Sequence, residues 1–172
     1  MKAVFLDRDG VINKEIGYLS KIEDFVFIDG VMDACKYLTR KGYKLFIITN
    51  QSGIARGFYS IGDFHKLNNW MLKQFHQHNI QITGVFFCPH GPNDNCNCRK
   101  PRTGMFKKAA AKFPLDIKKS WLIGDKENDI LAANRFGIEN TIIVRSGHRI
   151  NEETTLARFI IDSIAEIDKV IF

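Results

Sequence analysis

The chain has 172 residues and a mass of 19.7 kDa, of which 45% are apolar and 26% charged, the proportions of one soluble globular domain spanning residues 1–172. Disorder and collagen-like order are excluded, and no window approaches the roughly 18 consecutive apolar residues of a membrane span. Twenty-five basic against 19 acidic residues give a charge of +6 and a surface that attracts anions, yet no block of about five like charges marks a nucleic-acid tail.

The elements follow in order. Ala3–Leu6 is a short apolar strand ending at Asp7-Arg8-Asp9-Gly10. Asp29 is expected to cap a helix that places Val31, Ala34, Cys35 and Leu38 on one face and closes at Gly42. Lys44–Thr49 predicts a second strand, stopped by Asn50-Gln51-Ser52-Gly53. From Asp63 to Asn79 runs the longest helix, with Phe64, Leu67, Met71 and Phe75 at helical spacing and Trp70 in the core. A third strand, Ile82–Cys88, leads into an irregular Cys/His/Pro/Asn segment.

The basic residues from Arg99 to Lys119 read mostly as a solvated helix face. Trp121–Gly124 is a fourth strand ending at Asp125, and a helix over 128–136 is stopped by Gly137. Asn140–Val144 and Phe159–Ile161 complete the strands before a last short helix. Short apolar strands alternating with helices predict an α/β fold: one doubly wound, Rossmann-like domain with a central parallel sheet. The gaps leave no room for a cap domain.

Asp7 and Asp9, Thr49 and Asp125 all fall at carboxyl ends of predicted strands, where open parallel sheets bind ligands. If the first strand is central and flanked by the second and fourth, these groups converge. Converging carboxylates repel unless a hard divalent cation sits among them, and Mg²⁺ suits a few carboxylates with places left for phosphate and water. Taken alone, Asp7-x-Asp9-Gly10 is equally a simple turn. It is not a calcium loop, and no Gly-x-x-x-x-Gly-Lys-Ser/Thr phosphate loop occurs.

Cys88-x-His90-x₅-Cys96-x-Cys98 offers a closed set of three sulfurs and an imidazole, suited to a structural Zn²⁺. The alternatives are free thiols or a disulfide. Because Asp7 follows Met1 too soon for a secretory signal, a reducing cytoplasm is expected, and there clustered thiols favour metal. Cys35 is expected in the core, and His65, His76 and His78 in solvent. His148, in a Ser-Gly-His-Arg loop, could approach a ligand, but a loop position alone marks no site.

Asp7-Arg8-Asp9-Gly10-Val11-Ile12, Thr49, Lys100 and Gly124-Asp125-Lys126-Glu127-Asn128-Asp129 resemble the four ordered motifs of the haloacid-dehalogenase-like phosphatases. Thr49 to Gly57, and the stretch from Cys88-Pro-His to Cys96-Asn-Cys-Arg-Lys-Pro, resemble the heptose-1,7-bisphosphate 7-phosphatase family within them. This resemblance implies Asp7 as nucleophile and Asp9 as general acid and base. It implies Thr49 and Lys100 on the transferring phosphoryl group, and Mg²⁺ on the Asp7 carboxylate, the Asp9 backbone carbonyl and Asp125. Asp129, one helical turn on, would support the site from outside that set.

Glu15, Gly17, Tyr18, Asn50, Gln51, Ser52, Arg99 and Lys126 match substrate contacts of the family, although Glu15-Ile16 stands where relatives carry Asp-His. For Lys126 the plain alternative is a surface lysine. The Cys88–Cys98 loop is similar in length to that of histidinol-phosphate phosphatases, which stand as the alternative enzyme. The alternative of another class is a non-catalytic zinc-loop module that binds nucleic-acid ends. The expected enzyme is a monomer acting on a small phosphorylated sugar, with no nucleic-acid or membrane partner.

Overall fold

The computed structural model describes all residues, Met1–Phe172. Its strands are β1 (Ala3–Leu6), β2 (Lys44–Asn50), β3 (Ile82–Cys88), β4 (Trp121–Gly124), β5 (Asn140–Val144) and β6 (Phe159–Ile161). They form one parallel sheet of order β3-β2-β1-β4-β5-β6. The helices are α1 (Val31–Arg40), α2 (Ile61–Gln77), α3 (Gly104–Lys112) and α4 (Glu127–Phe136), with a closing 3₁₀ segment, Ile164–Lys169. Between β1 and α1 lies only a short 3₁₀ turn, Ile22–Asp24, so the architecture is the single α/β domain expected.

Alternation along the strands builds two cores. Val4 and Leu6 point to the layer that holds Ala34, Cys35 and Leu38 of α1 with Leu67, Met71 and Phe75 of α2. Ala3 and Phe5 point to the opposite layer, against Met105, Phe106 and Ala109 of α3 and Ile130, Ala132 and Ala133 of α4. Phe5 stacks on Phe46 and meets Phe106 edge-on, tying β1, β2 and α3 together. Each large side chain buried this way contributes about 1.5–3 kcal/mol, so the strand ends are set on a rigid frame.

Two local expectations change. Asp29 does not cap α1: the N-cap is Gly30, at φ 79° in the left-handed region, and no side chain caps that terminus. α2 begins two residues before Asp63, because Ser60 is the cap and forms a reciprocal box in which its hydroxyl accepts from the Asp63 N–H while the Asp63 carboxylate accepts from the Ser60 N–H. The basic stretch after Lys100 carries the expected helix with a solvated basic face, α3, whose Met105, Phe106 and Ala109 are buried while Lys107 and Lys108 face solvent.

The order reverses at β1. From it the chain runs outward to β2 and β3, then returns to β4 on the other side. That reversal opens a crevice beyond the strand ends. Cys35 is fully buried, and His65, His76 and His78 are exposed, as expected.

Candidate active site

β1 extends one residue past its last pair, with the Asp7 N–H donating to the Ile123 carbonyl at 3.0 Å, and this delivers the Asp7 carboxylate into the crevice. The chain then turns sharply, with the Ile12 N–H donating to the Arg8 carbonyl at 2.8 Å. Gly10 makes that turn at φ 87°, and a Cβ there would stand 2.4 Å from Asp125 Oδ2. Only glycine supplies both the backbone conformation and the clearance.

Lys100 anchors the floor and is 1% exposed. Its ammonium lies 3.1 Å from Asp7 Oδ1 and 2.6 Å from Asp129 Oδ1, and it donates to the Ile48 carbonyl at 2.9 Å. Three donors thus meet three acceptors. Asn50 clamps the backbone beneath it: the Lys100 N–H donates to Asn50 Oδ1, and Asn50 Nδ2 donates to the Lys100 carbonyl. Burial alone would lower the Lys100 ammonium, but Asp129 and Asp7 outweigh it and hold the group above its usual value. Burial pushes the Asp7 carboxyl well above the ordinary carboxylate range; Lys100 opposes this, while Asp129, Asp125 and Asp9 add to it. Lys100 pairs directly with two of these carboxylates, Asp7 and Asp129.

Carboxylate oxygens of Asp7, Asp125 and Asp129 lie within 4.8 Å of one another. Asp129, expected as outer support, reaches the cluster itself. Asp125 is fully buried; its Oδ2 is engaged by His148, and its Oδ1 has no hydrogen-bond partner. A buried anionic oxygen without a partner is costly, and a cluster of hard oxygens around it fits a hard divalent cation such as Mg²⁺.

The Asp9 side chain lies outside that cluster. Arg8 grips both of its oxygens, Asn13 Nδ2 donates to Oδ1 at 3.0 Å, and Gln51 Nε2 donates to Oδ2 at 3.0 Å. Burial would raise this carboxyl, but the Arg8 guanidinium and the Asn13 and Gln51 amides bring it below its ordinary value. Gln51 also donates to Thr49 Oγ1 at 2.8 Å and accepts from the Tyr59 hydroxyl at 2.5 Å. The Gln51 amide is therefore committed inside the protein.

A cavity of about 310 Å³ opens above this floor. Its walls include Asp7, Asp9, Lys100 and all eight expected contact residues, Glu15, Gly17, Tyr18, Asn50, Gln51, Ser52, Arg99 and Lys126. Thr49 is not on the wall; it is 1% exposed and lies under Gln51. Arg99 donates to the His90 carbonyl and, like Lys126, has no carboxylate partner. Arg56, Tyr59 and Asn128 also line the wall, and no signal in the sequence singles them out. The same holds for Arg8 and Asn13 on Asp9, although Arg8 stands between the two expected aspartates.

Cys88, His90, Cys96 and Cys98 form a second cluster, their ligand atoms all within 4.8 Å of one another. Cys88 Sγ is 3.7 Å from Cys96 Sγ and 3.5 Å from His90 Nδ1, close to the roughly 3.6–3.8 Å edges of a tetrahedron with Zn–S bonds of ~2.3 Å. Cys98 Sγ sits nearer, 2.9 Å from Cys88 Sγ and 3.3 Å from His90 Nδ1. Burial would raise the Cys96 thiol, but the Arg99 and Cys98 backbone N–H groups bring it down to about 6. The donor set fits Zn²⁺ and leaves no position open for a substrate.

Comparison with known proteins agrees with this geometry. Residues 97–167 match a family model described as HAD-hydrolase-like. The chain is 43% identical over 159 residues to the D-glycero-beta-D-manno-heptose-1,7-bisphosphate 7-phosphatase of Haemophilus ducreyi, covering 88% of this chain and 87% of that one. It is 50% identical over 143 residues to the D-glycero-alpha-D-manno-heptose-1,7-bisphosphate 7-phosphatase of Campylobacter jejuni, covering 83% and 82%. The crystal structure of D,D-heptose 1,7-bisphosphate phosphatase from B. bronchiseptica, complexed with magnesium and phosphate, superposes with a TM-score of 0.87 at 29% identity, covering 98% of this chain and 97% of that one.

Proposed function

This chain belongs to the heptose-1,7-bisphosphate 7-phosphatases of the haloacid-dehalogenase-like superfamily, phosphoric monoester hydrolases, and we propose that residues 1–172 form one phosphatase domain that removes the 7-phosphate of D-glycero-D-manno-heptose 1,7-bisphosphate through an aspartyl-phosphate. The observation that carries this reading is the meeting of Asp7, Asp125 and Asp129 around an unpartnered buried oxygen, with the Lys100 ammonium beside them.

In this reading an oxygen of Asp7 attacks phosphorus in line, and the bond to the sugar oxygen breaks. Asp9, which must enter the cycle protonated against the lowering by Arg8, Asn13 and Gln51, gives the leaving oxygen its proton. It then takes a proton from the water that attacks the aspartyl-phosphate, which releases inorganic phosphate and restores Asp7. Lys100 and Thr49 are assigned to the phosphoryl oxygens. Lys100 acts through a charge that Asp7 and Asp129 already orient; Thr49 accepts from Gln51 and keeps its own O–H to donate. Asp7, the Asp9 carbonyl and Asp125 would hold Mg²⁺, which when bound offsets the repulsion between phosphate and carboxylates.

Arg99 and Lys126 are free to meet the phosphate that is not transferred, with Glu15, Gly17, Tyr18, Asn50 and Ser52 lining the space between. Zn²⁺ on Cys88, His90, Cys96 and Cys98 is structural. The site is complete within one chain, so a monomer suffices, and a cluster of free thiols suits the cytoplasm. The product belongs to heptose and lipopolysaccharide biosynthesis.

The test is phosphate release with Mg²⁺ from the alpha and beta heptose bisphosphates and from histidinol phosphate. A higher kcat/KM for at least one heptose anomer is expected. A preference for histidinol phosphate, or no release from any of the three, overturns the assignment.

A further inference from the structure

Arg8 is 1% exposed, and its guanidinium is spent almost wholly on one neighbour. Nε reaches both Asp9 oxygens at 3.3 and 3.2 Å, and Nη2 reaches both at 3.0 Å. Nη2 also donates to the Leu19 carbonyl at 3.4 Å and to Gln51 Oε1 at 3.3 Å. Nη1 is buried without a partner, and the guanidinium lies 5.9 Å from the centre of the Phe64 ring. A cation kept out of water with one donor unsatisfied costs stability, so a purely structural role would be better served by an apolar side chain.

Around this pair stand two amides and a phenol. Asn13 and Gln51 each grip one Asp9 oxygen, and Tyr59 fixes Gln51 through its hydroxyl. The cage leaves the Asp9 side chain 19% exposed, towards the cavity. A free aspartate samples several rotamers; this one is held in a single orientation.

Resting on the acid–base reading of Asp9 given above, we propose that Arg8 is a positioning residue for proton transfer: it holds the Asp9 carboxyl where one oxygen meets the leaving sugar oxygen. Arg8 itself touches neither substrate nor phosphoryl group. Its contribution to the first step therefore scales with how much the departing oxygen needs a proton, whereas hydrolysis of the aspartyl-phosphate is the same for every substrate. A sugar alkoxide needs one; the p-nitrophenolate of an aryl phosphate does not.

The experiment compares kcat/KM, which reads the steps up to departure of the leaving group and not the shared hydrolysis of the aspartyl-phosphate, on heptose bisphosphate and on p-nitrophenyl phosphate, at saturating Mg²⁺, for wild type, Arg8→Met, Arg8→Lys, Asp9→Asn and the Arg8→Met/Asp9→Asn double variant. Since general acid–base groups supply about 10²–10⁴-fold, Arg8→Met should lose roughly 10–100-fold on the sugar and less than about threefold on the aryl ester. Lysine keeps the charge but cannot fork onto two oxygens, so Arg8→Lys should show the same selective loss in milder form; it carries the test if the methionine variant does not fold. The double variant should be no slower on the sugar than Asp9→Asn alone, because groups acting as a unit are not additive.

Equal losses on both substrates for the Arg8 variants, while Asp9→Asn stays selective, overturn the positioning role alone. Additive losses in the double variant do the same. If Asp9→Asn itself shows no leaving-group selectivity, the acid–base reading falls and this inference falls with it.

Discussion

His148 engages one oxygen of Asp125 twice: its backbone N–H donates to Oδ2 at 2.9 Å and its ring Nδ1 lies 2.7 Å from the same atom. The other oxygen, Oδ1, is left buried with no partner. Gly147 permits the approach, since a Cβ there would stand 2.2 Å from Oδ2. Orienting a ligand through its second oxygen is a recurrent way of tuning metal affinity.

The first expectation follows. His148→Ala keeps the backbone bond but frees the carboxylate to turn, so the Mg²⁺ concentration for half-maximal activity should rise ~10-fold or more. kcat at saturating Mg²⁺ should change little. A Mg²⁺ titration of phosphate release decides it, and an unchanged midpoint would show that Gly10 and Gly147 hold Asp125 without the imidazole.

Asp7→Asn should abolish turnover, because an amide cannot form the acyl-phosphate; near-normal activity in folded, Mg²⁺-replete protein would remove Asp7 as nucleophile. Its effect on stability should run the other way. The folded-state pKa of Asp7 lies above its unfolded value of about 4. Such a group's contribution is fully present below the unfolded value and lost as pH rises through the folded one. Metal-free wild type should therefore lose stability with rising pH from about 4 upward, and Asp7→Asn should lose less. Urea melts of metal-free protein across that window give the comparison. Parallel pH curves would mean that Lys100 fully offsets the burial of Asp7 and its crowding by Asp129 and Asp125.

Which parts of this site were legible in the sequence has a physical explanation. Strand limits at Leu6, Cys88, Gly124 and Val144 were readable because apolar runs end abruptly in turn residues or charge. Asp7 and Asp125 could be placed at strand ends for the same reason. Asp29 misled because an acidic residue before an apolar periodicity looks like a cap, whereas packing against Ala165 puts Gly30 there. The role of Arg8 and the bonding of Gln51 were not legible because they are set by partners brought together in space: Arg8 by Leu19 and Gln51, Gln51 by Tyr59. His148 was noticed, but only the fold shows that its loop folds back over Asp125.

Arg99 and Lys126 carry the specificity expectation. Both line the cavity and neither is paired with a carboxylate, unlike Lys100. Removing either should cost the heptose bisphosphate more in kcat/KM than an aryl phosphate, by roughly 10-fold for a charge-assisted contact worth ~1.5 kcal/mol. Equal losses on both substrates would assign these cations to the transferred phosphoryl group instead.

The thiol–imidazole cluster yields the last expectation. His90 is at once a ligand candidate and, through its carbonyl, the acceptor for Arg99 Nη1 at 3.3 Å. Cys96 likewise supplies its carbonyl to Arg102. Lys100 is anchored differently, by Asn50 on its backbone and by Asp7, Asp129 and Ile48 on its ammonium. Loosening the loop should therefore displace Arg99 and spare Lys100. Cys96→Ala should lower the melting temperature and raise KM for the bisphosphate, while the Mg²⁺ midpoint stays near that of wild type. Because a misplacement of about 1 Å can cost ~10²-fold, the folded variant should be slow on the bisphosphate but not dead, with a smaller loss on an aryl phosphate that lacks the second phosphate. Elemental analysis of wild type purified without chelator should find about one Zn²⁺ per chain, since four ligands make one closed site. Absence of zinc, or full bisphosphate activity after its verified removal, would disconnect the cluster from Arg99.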